Sequence, residues 1–148
     1  MKKSLFTFML ALIAAIGMNN SFAQQVQSGA QIEFNKDTHD YGNVKNGGNG
    51  KCTFTFTNTG TEPLIIQTAK GSCGCTVPEW SKEPIAPGAT GSIRVKYDTK
   101  RPGPINKSVT IDSNAINEPS KIIRIKGEVG PAPEGGAPVN NIGAPTGN

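Results

Sequence analysis

Residues 51–58 alternate without a break: Cys52, Phe54 and Phe56 fall on one side, Lys51, Thr53, Thr55 and Thr57 on the other. A repeat of two puts successive side chains on opposite faces of an extended chain, so this segment is a half-buried strand. The pattern returns along the chain. Ile93, Val95 and Tyr97 alternate with Ser92, Arg94, Lys96 and Asp98; Val109 and Ile111 alternate with Ser108, Thr110 and Asp112; Ile123, Ile125 and Val129 alternate with Arg124, Lys126 and Glu128. No stretch carries a sustained apolar stripe of helical period.

Turn chemistry divides these runs. Asn35-Lys36-Asp37 splits short candidate strands at 31–34 and 41–44, and Asn46-Gly47-Gly48-Asn49-Gly50 reads as a loop or hairpin tip. Asn58 to Pro63 is a turn before a more fully buried strand that starts at Leu64-Ile65-Ile66. Pro87-Gly88, Arg101-Pro102-Gly103-Pro104 and the segment from Asn114 to Pro119 mark further turns. The 18 Gly and 11 Pro make about a fifth of the 148 residues, against ~12% in ordinary globular chains, which leaves little room for long helices. Short strands at this cadence predict an all-β fold, a single immunoglobulin-like antiparallel β-sandwich over residues 31–129.

The two termini read differently. Met1-Lys2-Lys3, the apolar run of residues 5–16 and Ser21-Phe22-Ala23 before Gln24 form the charge, core and small-x-small cleavage pattern of a secretory signal peptide at 1–23. The apolar run is too short for the ~20 residues that cross a bilayer. A polar spacer at 24–30 follows, and the expected location is periplasmic or secreted. Residues 130–148 hold nine Gly or Pro and almost no apolar bulk, the composition of a disordered tail. The formal charge of +4 drops to +2 once Lys2 and Lys3 leave, which is no nucleic-acid footprint.

Export gives the cysteines a compartment where disulfides persist. There are three, Cys52, Cys73 and Cys75, so full pairing within one chain is impossible. Cys73-Gly74-Cys75 can close a small bridge, hold a soft metal such as Cu(I) or Zn(II) jointly, or give each thiol a separate fate. Cys52 shares a face with Phe54 and Phe56, which favours a small buried hydrophobe over pairing. Joined to Cys73 or Cys75 it would close a loop of about twenty residues, contributing ~3 kcal/mol. His39, the lone histidine, is a third metal ligand beside Cys73 and Cys75, a base for a cysteine nucleophile, or more simply a strand-edge residue held by Asp40. Phosphate-loop and Gly-x-Ser-x-Gly patterns are absent. Arg94, Lys96, Arg124 and Lys126 are expected on outward faces, as anion contacts or as charges that keep strands from pairing with neighbours.

The order of motifs is similar to that of domain-of-unknown-function family 1573. It runs through His39-Asp40-Tyr41-Gly42, Phe54-x-Phe56-x-Asn58-Thr59-Gly60, Pro63-Leu64-x-Ile66, Ser72-Cys73-Gly74-Cys75-Thr76, Pro84-Ile85-x-Pro87-Gly88, Ile93-x-Val95-x-Tyr97-Asp98-Thr99 and Ser113-Asn114-Ala115. The resemblance implies an exported bacterial sandwich, with Cys73 and Cys75 as signature pair and Cys52 outside the pattern. The functional expectation is a non-catalytic module of the cell envelope, without cofactor or nucleic acid, that binds a partner protein or surface glycan. The alternative is a thiol redox or copper-handling protein using Cys73 and Cys75; a cysteine hydrolase built on Cys73 and His39 ranks third.

Overall fold

The computed structural model of the chain describes residues 28–134. Eight strands follow in order: β1 (Ile32–Phe34), β2 (Thr38–Val44), β3 (Lys51–Asn58), β4 (Ile66–Gly71), β5 (Thr76–Trp80), β6 (Thr90–Tyr97), β7 (Gly103–Ser113) and β8 (Ser120–Val129). They form two four-stranded sheets, β1-β3-β6-β5 and β2-β8-β7-β4. The all-β sandwich expected from the alternation is the observed architecture. Its inward residues are those the period of two selected: Phe54, Phe56, Ile93 and Val95 from one sheet face Val109, Ile111, Ile123 and Ile125 from the other, each at most 1% exposed. Burying one side chain of this size stabilises the fold by about 1.5–3 kcal/mol.

Three details differ from the sequence reading. The expected antiparallel pairing carries one exception, because β2 runs parallel to β8 at the edge of its sheet. The segment 76–80, unassigned from sequence, is edge strand β5, antiparallel to β6. Gly103 and Pro104, expected in a turn, open β7. Pro104 is tolerated there because β4 pairs only with residues 109–113, leaving the start of β7 with an open side. The folded body also begins earlier than residue 31: Ala30 is 2% exposed, and the carbonyls of Gly29 and Ala30 accept from Thr61 and Ile116. The expected signal peptide at 1–23 and most of the expected tail at 130–148 lie outside the described residues.

The strand directions give the sandwich two ends. One end gathers residues 28–31, the 58–65 turn, the 81–89 loop and the 113–119 loop. Its centre is Asn58, wholly buried, whose amide donates to the carbonyls of Glu62 (2.8 Å) and Ile85 (2.9 Å) and accepts from the backbone of Gly60 (3.0 Å) and Gln31 (3.3 Å). Gly60 is required there, since a Cβ would sit 2.2 Å from the Gly29 carbonyl oxygen. The opposite end gathers the 45–50 loop, the 72–75 turn and the 98–102 loop.

Candidate functional site

The cysteine turn sits at that opposite end, where the chain passes from β4 in one sheet to β5 in the other. Gly71 permits the change of sheet, because a Cβ there would meet the Thr76 carbonyl oxygen at 2.0 Å. The turn is tied to both sheets. Ser72 donates its backbone N–H to Ser108 and accepts Ser108 N–H on its hydroxyl, while Asp98 N–H donates to the Cys75 carbonyl at 2.9 Å. Within the turn, Thr76 N–H donates to the Cys73 carbonyl at 3.1 Å.

Cys73 and Cys75 are bridged, with Cα atoms 5.2 Å apart. Cys73 is partly exposed and Cys75 is 6% exposed, so the bridge presents one accessible and one buried sulfur. The Thr76 hydroxyl lies 3.6 Å from the Cys73 sulfur and 3.8 Å from the Cys75 sulfur. A ring spanning three residues closes almost no chain: its loop-entropy contribution is about 1.5 kcal/mol, half that of a fifteen-residue loop. As a staple it is weak.

Gly74 lies between the two cysteines and is exposed. It takes no positive φ, and a Cβ built on it meets nothing within 4 Å. Neither backbone geometry nor packing asks for glycine. A side chain here would project into open space, and Gly74 borders an open groove of about 690 Å³. The groove is walled by Gly50 and Lys51 from one segment, Gly74 and Cys75 from the turn, and Lys96 and Lys100 from β6 and the loop after it.

The charges around the groove are unbalanced. Lys51 and Lys96 stand directly opposite each other on β3 and β6, both exposed, a like-charge arrangement that disfavours the pairing. Arg94 follows on the same outward row as Lys96, with Glu79 opposite on β5. Asp98 is engaged elsewhere, receiving Lys100 N–H at 3.1 Å and the Arg101 guanidinium at 3.6 Å. Among the described residues Lys51, Lys96, Lys100 and Arg94 lie in no ion pair, whereas Lys126 on the other sheet pairs with Asp40 at 3.3 Å. Arg124 is exposed on that same outer face as Lys126.

The structure does not bring His39 to the cysteines. His39 lies on β2, at the edge of its sheet opposite β4, three strand spacings away, or about 14 Å. Its ring packs edge-on against Tyr41 at 4.6 Å, and its Nδ1 accepts from the Lys36 ammonium at 3.1 Å. Burial and then Lys36 lower its pKa, with Asp40 opposing. The metal set Cys73, Cys75 and His39 is therefore not assembled, and in the bridged form neither sulfur is a thiolate ligand. Among the described residues no three His, Cys, Asp or Glu side chains surround a common metal position. The same separation leaves a Cys73–His39 pair without contact.

Cys52 is a free thiol, 7% exposed, and burial pushes its pKa up with Tyr41 and Lys36 opposing. Tyr41 is also pushed up by burial, and its hydroxyl donates to the Gly50 carbonyl at 2.8 Å. The sequence reading missed Lys51, Lys100 and Val77 as groove residues. The glycine-rich stretch before Lys51 was the available signal, since glycines bring backbone close to whatever lies beside them.

The family model described as protein of unknown function (DUF1573) matches residues 32–129. No curated protein matches the chain. Among solved structures, a protein of unknown function from Porphyromonas gingivalis W83 superposes with a TM-score of 0.61 at 20% identity, over 74% of this chain and 51% of that one. The PapD-like domain 7 of human CEP192 matches with a TM-score of 0.54 at 9% identity, over 71% of this chain and 89% of that domain. The secreted serine protease VesC from Vibrio cholerae matches with a TM-score of 0.52 at 16% identity, over 72% of this chain and 24% of the protease. This chain thus spans about half the length of the Porphyromonas protein and a quarter of VesC. At these identities the likeness is one of fold.

Proposed function

The chain belongs to the DUF1573 family, and on that footing we propose that it is an exported, non-catalytic β-sandwich of the bacterial cell envelope that docks a partner protein. The observation that carries this reading is the cationic outer face of β3 and β6. Lys51, Lys96 and Arg94 gather there, with Lys100 in the loop just beyond, and among the described residues none has an ion-pair partner, although facing Lys51 with Lys96 costs sheet stability. Val77, 50% exposed, stands beside Lys96 on the same face. A partner presenting carboxylates around a small apolar contact would complement this face and neutralise its repulsion.

The edges of the sandwich direct docking to this face rather than to strand addition. β1 is only three residues long, β2 and β4 each carry a register irregularity, and β5 holds Pro78 at its centre. Each device blunts an edge against pairing with another chain. Export rests on the leader pattern at 1–23, which supplies the route to the envelope.

The test is immobilised residues 24–148 titrated with envelope extract, beside the same protein carrying Lys51→Glu and Lys96→Glu. Saturable capture that weakens with added salt and is lost in the double variant is expected. Capture that is equal in both proteins, or no saturable partner, overturns the reading.

A further inference from the structure

The docking face leaves the cysteine turn unexplained, and three observations there converge. The bridge encloses too little chain to act as a strong staple, yet it occupies the end of the molecule with the open groove. Gly74 has no backbone or packing requirement, and its missing side chain leaves the approach to the bridge clear. The two sulfurs are unequal, Cys73 partly exposed and Cys75 6% exposed, with one hydroxyl, Thr76 Oγ1, beside both.

We propose that the Cys73–Cys75 bridge is a thiol–disulfide exchange centre that takes two electrons from a pair of thiols on an extended client peptide lying in the groove. Exchange needs an exposed sulfur to be attacked and a stabilised thiolate as leaving group. Cys73 supplies the first. A client thiolate attacks the Cys73 sulfur, the bridge breaks, and the electron pair goes to Cys75. The Cys75 thiolate is formed beside the Thr76 hydroxyl, which donates to it, and in a groove also lined by Lys51, Lys96 and Lys100, whose charges favour an anion. The client's second thiolate then attacks its own sulfur in the mixed disulfide and expels Cys73 as thiolate. The client ends with one disulfide, Cys73 and Cys75 end as two thiols, and the two client protons balance the two thiols formed. Cys52 takes no part, since it lies outside the bridge and offers no exposed sulfur to a client.

This inference does not rest on the docking reading, and its test needs no partner. The mature chain is held in graded dithiothreitol without denaturant, alkylated, and read by peptide mass. The expected result is loss of the bridge and alkylation of Cys73 while Cys52 stays blocked, which shows reduction within a folded protein. With glutathione disulfide as probe, Cys75→Ser is expected to collect one glutathione on Cys73. Cys73→Ser should modify Cys75 at least tenfold more slowly. Gly74→Val should slow reduction of the bridge about tenfold with no change in the thermal midpoint. Cys73 becoming alkylatable only together with Cys52 would overturn the proposal, because the bridge would then open only on unfolding. Equal glutathione uptake at the two cysteines, or an unaffected reduction rate in Gly74→Val, would overturn it as well. The reductant titration stands even where a cysteine variant fails to fold.

Discussion

The two ends of the sandwich are built from the same residue types to opposite purposes. At the Asn58 end, glycine is forced: Gly60 leaves room for the Gly29 carbonyl, and the four polar positions of the Asn58 amide are filled by backbone groups. At the Cys73 end the glycines divide: a Cβ would stand 2.0 Å from a carbonyl oxygen at Gly71 and 2.3 Å at Gly50, whereas Gly47, Gly74 and Gly103 have no atom within 4 Å. Gly47 and Gly103 still serve a left-handed turn, with φ of +74° and +106°, while Gly74 does not. Among the described residues glycine thus marks close packing at Gly60, Gly50 and Gly71, a left-handed backbone at Gly47 and Gly103, and open access without a backbone need at Gly74. A motif of Asn-Thr-Gly and a motif of Cys-Gly-Cys therefore deserve different explanations.

Substitutions can break this contrast, beginning with the largest effect. Asn58→Ala removes four part-buried hydrogen bonds and leaves the Glu62 carbonyl and the Gly60 and Gln31 N–H groups without this partner, and Gly60→Ala drives a Cβ into backbone; each should cost about 2–3 kcal/mol in denaturant unfolding. A loss under ~1 kcal/mol in both would show that the Asn58 end is no more constrained than the other. Removing the bridge with Cys73→Ser and Cys75→Ser together should cost no more than about 1.5 kcal/mol. A larger loss would make the turn a structural staple and bring the two ends closer in kind.

His39, away from both ends, sharpens the contrast through pH. Its pKa is lowered in the folded chain, so below its ordinary value of about 6.5 the unfolded chain binds the proton more readily. The associated stability is present above pH ~6.5 and is lost as pH falls through that range. His39→Gln should remove this dependence, as read by thermal midpoints between pH 7.5 and 5.5 with an NMR titration of the ring. The smallest effect belongs to Gly74→Ala, expected within ~0.5 kcal/mol of the parent, against the several-fold larger cost of the same change at Gly60.

Much of this architecture was legible because burial on one face writes itself into a period of two. β3, β6 and β8 carry that record in Phe54, Ile93, Ile125 and their neighbours. β5 does not: it is an edge strand that buries Thr76 and exposes Val77, so its pattern runs against the usual sorting. The start of β7 was hidden because Pro102-Gly103-Pro104 has turn chemistry, and only the open side beside it lets a proline begin a strand. Pairing of β2 with β8 joins segments some 85 residues apart, and no local pattern encodes such a choice. The cysteine pair was visible as a feature, but its groove was not, since the walls come from separate segments brought together by folding.

The position of β8 has a consequence for the order in which this molecule can come into being. The last strand of the chain is an interior strand, bonded to β7 on one side and β2 on the other. Until residues 120–129 arrive, β2 has no neighbour and β7 lacks its longest pairing, so the second sheet cannot close. The sandwich must wait for this strand before it can close. During that interval the inward faces of β3 and β6 lack the cover of Ile123 and Ile125, and slow, long-range assembly is the expected regime. A chain cut before Ser120 is therefore not a smaller version of this protein but a sandwich whose second sheet is split, with β2 detached from β7 and β4.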